Sequence, residues 1–99
     1  MNRQPTHPGA IIREDILPEL DMSISRLAKE LHISRQTLHG VISEKKSITP
    51  NLALRIGKFI GNGPDVWLRM QEAHDLYNEE KKIAPILRKI EQHHSDAAS

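Results

Sequence analysis

The segment Ser23–Lys46, SISRLAKELHISRQTLHGVISEKK, constrains the fold more than any other part of the chain. Ile24, Leu27, Ala28 and Leu31 recur at helical spacing and predict an amphipathic helix from Ser23 to Leu31. His32-Ile33-Ser34 interrupts the pattern, and Ser34 is placed to cap a second helix by accepting a backbone hydrogen bond. That second helix turns Leu38, Val41 and Ile42 inward and leaves Arg35, Gln36, Thr37 and His39 on its outer, N-terminal side. Two apolar-backed helices joined by a three-residue turn read as a helix-turn-helix, a shape suited to insertion into a DNA major groove.

Proline and glycine punctuate the rest of the chain. Residues 1–6 read as a flexible terminus. Pro8 suits the first position of a helix running to about Leu17, with Ala10, Ile11 and Ile16 or Leu17 for the core, and Pro18 followed by Glu19-Leu20-Asp21 predicts its end. Glu44–Ile48 reads as a polar loop, and Thr49-Pro50 opens a fourth helix carrying Leu52, Ala53, Ile56, Phe59 and Ile60. Gly61-Asn62-Gly63 closes it. Pro64-Asp65 starts a fifth helix through about Lys82, and Pro85 predicts a kink or an end at Ala84. Ile83, Ile86, Leu87 and Ile90 then form a last amphipathic piece, and His93–Ser99 reads as a disordered tail. The expected fold is all-α: a five-helix domain over 7–82, with the helix-turn-helix at 23–43 and a C-terminal segment over 83–99.

Charge is distributed unevenly. Met22–Lys58 holds seven basic residues against two acidic ones, a local balance of +5 within a chain of net +1. A basic middle between acidic flanks suits a polyanion on one face and something else on the others. The chain has no cysteine, which excludes disulfides, thiol catalysis and Cys-based zinc sites. It has no apolar run near the roughly 20 residues of a membrane span, and MNRQPTHPG lacks the apolar core of a secretory signal. A soluble protein of the cytoplasm is the expectation.

The outward residues of the second helix have base-reading chemistry. Arg35 can donate a bidentate pair to guanine, Gln36 can pair with adenine, Thr37 can meet a thymine methyl, and His39 can make one hydrogen bond. Ser34, Ser43, Lys45, Lys46 and Arg26 fall where backbone phosphates would pass, and would orient rather than discriminate. One recognition helix reads only a few base pairs, so useful affinity calls for a dimer on two half-sites. Trp67, Leu68, Met70, Leu76 and Tyr77 give the fifth helix more apolar surface than a small bundle must bury, divided between core and a dimer or partner interface. Ile83, Ile86, Leu87 and Ile90 lie beyond that core and are further candidates for such an interface, unless they fold back on their own subunit.

Ser23–Lys46 resembles the phage-repressor (Cro/C1, or xenobiotic-response-element) type of helix-turn-helix. The longer span His7–Tyr77 resembles the HigA family of antitoxins through HPGAIIREDIL, LAKELHISRQTLHGVISEKKSITPNLALRIGKFI and GPDVWLRMQEAHDLY. HPG combined with VWLRMQEAHDL is the discriminating part. The resemblance implies a type II toxin–antitoxin function: a dimer that neutralises an mRNA-cleaving toxin of the RelE type and represses its own operon. By position it implies Arg35, Gln36, Thr37 and His39 as operator contacts. His32 stands where this motif often has glycine, a position needing positive φ, which histidine tolerates better than most residues.

No enzyme, metal or cofactor is expected. The six histidines include no HExxH or His-x3-His spacing, and His74-Asp75, adjacent in a helix, point about 100° apart and do not orient each other. Two other functions remain open: a stand-alone repressor with no cognate toxin, and a protein-interaction module that uses the shape without DNA.

Overall fold

The computed structural model describes residues 3–94. Those residues form five helices and no strand. The first, α1, is one continuous rod of three stretches: Pro8–Ile11, a π-helical turn at Ile12–Ile16, and Leu17–Leu20. Then come α2 (Ile24–Leu31), α3 (Arg35–Ile42), α4 (Pro50–Ile60) and α5 (Asp65–Leu87).

Local chemistry sets most boundaries. The Ser23, Ser34 and Thr49 hydroxyls each accept from the backbone N–H three residues on, at 3.0, 3.0 and 3.2 Å. These bonds start α2, α3 and α4 by satisfying amides that a helix leaves unpaired at its N-terminus. Asp21, His32 and Gly61 close α1, α2 and α4 in the left-handed conformation, with φ of 52°, 58° and 93°. His32 therefore adopts the positive φ that its place in the turn implies.

Neither Pro18 nor Pro85 ends the helix it lies in. The first helix passes Pro18 and ends at Leu20. A proline clashes with the carbonyl four residues back, and the wider π turn immediately before it moves the backbone out of that register. Leu17 N–H accordingly bonds Ile12 O, five residues back. The same turn brings Ile12 and Leu17 toward one face, so these two are buried while Ala10, Ile11 and Ile16 are only half-buried. Pro85 does not end α5, which runs on to Leu87. Lys81 and Pro85 are exposed, so water can satisfy the carbonyl that proline leaves without a donor. The separate C-terminal helix expected from Ile83 to Ile90 is thus the last turn of α5 and a short exposed extension.

The core gathers Ile12 from α1, Leu27 and Leu31 from α2, Leu38 and Val41 from α3, Ile56 from α4 and Trp67 from α5. Trp67 is 1% exposed, and its indole N–H donates to Asn62 Oδ1 at 3.0 Å. Placed among the interface candidates by its residue type, Trp67 is instead the tie of α5 to its own domain and is unavailable to a partner. Leu68 and Met70 pack beside it at the core margin. Gly9 allows the close approach of α1 to α3, since a Cβ there would collide with the Val41 carbonyl. Of the terminus expected to be flexible, residues 1–2 lie outside the described residues, and from there on it is docked: Gln4 Nε2 donates to Asn78 Oδ1 at 2.9 Å, and Pro5 is half-buried. His93 and His94 are exposed and without regular structure, and the rest of the expected tail lies outside the described residues. With α5 projecting, the molecule measures 57 × 27 × 25 Å.

Candidate nucleic-acid interface

α3 meets the interior through Leu38, Val41 and Ile42, packed against α1 and α2. Its other face carries Arg35, Gln36, Thr37 and His39, all exposed. The side chains of Arg35, Gln36 and His39 make no hydrogen bond or ion pair among the described residues. Thr37 differs, because its Oγ1 accepts from the Ser34 hydroxyl at 2.8 Å. The structure therefore brings the four expected base-reading residues together on the first two turns of one helix.

The expected phosphate contacts divide. Lys45 and Lys46 are exposed just beyond α3. Their backbone N–H groups both donate to Gly40 O at 3.0 Å, and the Lys46 stem lies over Gly40. Arg26 is exposed but paired with Glu30 at 3.0 Å, so a phosphate would have to compete with that carboxylate. Ser34 and Ser43 are engaged in the isolated chain and would exchange those bonds to meet a phosphate. Each hydroxyl has one proton to donate, and these go to Thr37 Oγ1 and to Gly40 O at 3.2 Å.

Residues not singled out by the sequence hold α3 in place. Arg13 of α1 donates to Ile42 O at 2.6 Å and pairs with Glu44 at 3.1 Å, gripping the C-terminal end of α3. Arg55 of α4 donates to Leu31 O at 2.9 Å and His32 O at 3.1 Å, while Asn51 Oδ1 accepts from its Nε at 2.7 Å. A guanidinium on the last carbonyls of α2 satisfies orphan acceptors and opposes the negative end of the helix dipole. It also fixes the turn from which α3 departs.

Beside the C-terminal end of α3 and the loop after it lies a buried polar cluster. His7 caps α1 through Nδ1, which accepts from Gly9 N–H at 2.9 Å, and its ring meets His74 edge-on with centroids 4.9 Å apart. Gln71 Oε1 accepts from Ile48 N–H at 2.8 Å, and Gln71 Nε2 donates to Asp75 Oδ1 at 3.0 Å. Burial lowers the His7 pKa, as does the charge of His74; Glu44, Asp75 and a hydrogen bond to the Lys46 backbone oppose the shift. Every buried side-chain polar atom among the described residues has a partner. The cluster packs behind α3, between α1 and α5.

Comparison with known proteins agrees with this geometry. A family described as helix-turn-helix matches residues 12–67. The virulence-associated protein I of Dichelobacter nodosus is 40% identical over 76 residues, covering 76% of this chain and 70% of that protein. An addiction module antidote protein of a HigA family from Coxiella burnetii superimposes with a TM-score of 0.85 at 34% identity, over 93% of this chain and all of the other. The chain is a helix-turn-helix protein of the HigA family. The antitoxin HigA of Pseudomonas aeruginosa, solved with the higBA promoter, has a TM-score of 0.85 at 27% identity, over 91% of this chain and 99% of that one. Among the described residues of this HigA-family chain, no helix is long and apolar enough to cross a membrane.

Proposed function

We propose that this chain is the antitoxin of a type II toxin–antitoxin pair: it binds its operator as a dimer, represses its own operon in the cytoplasm, and neutralises an mRNA-cleaving toxin of the RelE type. The observation that carries this is the outer face of α3. Arg35, Gln36 and His39 stand exposed without intramolecular partners on a helix held at its C-terminal end by Arg13 and leaving a turn fixed by Arg55. Side chains so placed lose no internal bond on meeting base edges, Arg35 at guanine and Gln36 at adenine. Thr37 offers its methyl to thymine and His39 one hydrogen bond, while Lys45, Lys46 and Arg26 meet phosphates. Solved relatives that carry operator or promoter DNA support the same use of the fold.

Two copies would set two α3 helices on half-sites about one turn of DNA apart. The distal part of α5 and the short extension beyond it supply the second copy's contact, through Ile86, Leu87 and Ile90, which are exposed, with Ile83 and Tyr77 half-buried beside them. The function is tested by expressing the neighbouring gene's product alone and together with this chain. Growth arrest relieved by co-expression, with both proteins eluting together, is the expected result. A harmless neighbour that never co-elutes would leave a stand-alone repressor of the same type.

A further inference from the structure

Ile48, Leu68 and Leu76 floor a groove of about 490 Å3 along α5, and Glu72, Asp75 and Glu79 stand on its rim. Leu76 is 63% exposed although it lies in the middle of a long helix. A separate hollow beyond Leu76 and Glu79 is lined by Tyr77, Ile83 and Leu87, the face given above to the second copy. The base of the groove is fixed, since Gln71 is buried and bonded on both sides to Ile48 N–H and Asp75. Lys82 and His74 reach rim carboxylates only loosely, at 3.7 and 3.4 Å.

The rim chemistry selects the occupant. Carboxylates repel DNA phosphates, so this face is not a second DNA surface. A nuclease acting on mRNA must bind a chain of phosphates and so presents lysine and arginine on its surface. Those side chains lay apolar stems along a leucine floor while their charged heads meet carboxylates at the edge. From this complementarity we infer that the acid-rimmed groove of α5 is the docking site for a basic surface of the partner nuclease. The inference rests on the antitoxin reading above.

The test titrates the full-length chain with the purified product of the neighbouring gene and measures affinity by calorimetry. Replacing Glu72→Gln together with Glu79→Gln keeps shape and removes charge. It should weaken the complex about tenfold or more and flatten its salt dependence. Leu76→Ser should weaken it comparably with the salt dependence intact. Both variants should bind operator DNA within about twofold of the parent, because neither touches α3, and circular dichroism checks their fold. If both variants bind the nuclease as the parent does, the groove assignment is wrong and the antitoxin reading stands. If the parent chain forms no complex, both are overturned. A change confined to the chain's own sedimentation mass would assign the groove to a second copy and also overturn the proposal.

Discussion

α3 turns Leu38, Val41 and Ile42 into the core and offers Arg35, Gln36 and His39 to water. The far half of α5 does the reverse, offering Leu76, Ile86 and Leu87 to water from a helix that projects beyond the core. Exposed polar side chains are well solvated and need no cover, so α3 is a finished surface in the isolated chain. Exposed leucines and isoleucines forgo about 25 cal/mol for each Å2 of apolar surface they could bury. The difference separates a surface that waits for a ligand from one that gains stability by acquiring a neighbour.

The sharpest break in that contrast lies within α5 itself. Trp67→Ala should destabilise the chain by about 3–5 kcal/mol, the range for emptying a fully packed aromatic site. Leu76→Ala, nine residues further on, should change stability by no more than about 0.5 kcal/mol in a dilute monomer. Urea denaturation of the two variants compares them directly. A large, concentration-dependent loss for Leu76→Ala would mean that the distal face is covered in solution.

On α3 the expectation is inverted, with binding lost and stability kept. Arg35→Ala or Gln36→Ala should each weaken specific operator binding by ~1–3 kcal/mol, the worth of a bidentate base contact. Thermal unfolding should stay within about half a kcal/mol of the parent, since neither side chain has an internal partner. Unchanged operator affinity in a folded double variant would remove α3 from the interface.

The caps and periodic faces were legible because their causes are local. Ser23, Ser34 and Thr49 each bond an amide three residues away, and the apolar stripes of α2 and α3 repeat within single turns. The long-range bonds that fix α3 and the segments flanking it were not legible, because each joins distant points of the chain. Arg13 reaches Ile42 across 29 positions, Arg55 reaches Leu31 across 24, and Gln71 reaches Ile48 across 23. No periodicity marks such residues, and His7 falls outside the usual Ser, Thr, Asp and Asn capping set. That the helices pass Pro18 and Pro85 was hidden for a related reason. A local rule gives the clash, but the π turn before Pro18 and the open solvent around Pro85 are properties of the assembled helix. Trp67 shows the same limit at the level of packing, where residue type alone did not say which apolar groups of α5 face its own domain.

A smaller effect should come from the turn between α2 and α3. Arg55→Met keeps much of the aliphatic bulk and removes the donors to Leu31 O and His32 O. For a part-exposed guanidinium the loss should be about 1 kcal/mol, the low end for such bonds. Operator affinity should fall as well, although Arg55 need not touch DNA, because the turn sets the pose of α3. Normal affinity with reduced stability would confine Arg55 to a structural role.

The smallest effect is a dependence on pH. Folding lowers the His7 pKa, first through burial and then through His74, against the opposing pull of Glu44, Asp75 and the Lys46 backbone. Protonation must add a hydrogen to Nδ1, the atom that accepts from Gly9 N–H and caps α1. As pH falls below about 6.5, the ordinary imidazole value, the unfolded chain therefore takes up this proton before the folded one does. The His7 contribution to stability is full above that pH and declines below it toward the folded pKa. His7→Asn supplies an uncharged cap with no titrating ring, so its stability between pH 5 and 8 should follow a flatter curve than that of the parent. Parallel curves for parent and variant would assign the acid sensitivity elsewhere. A flatter curve would show that His7, in the polar cluster behind α3, carries part of the acid sensitivity of the fold.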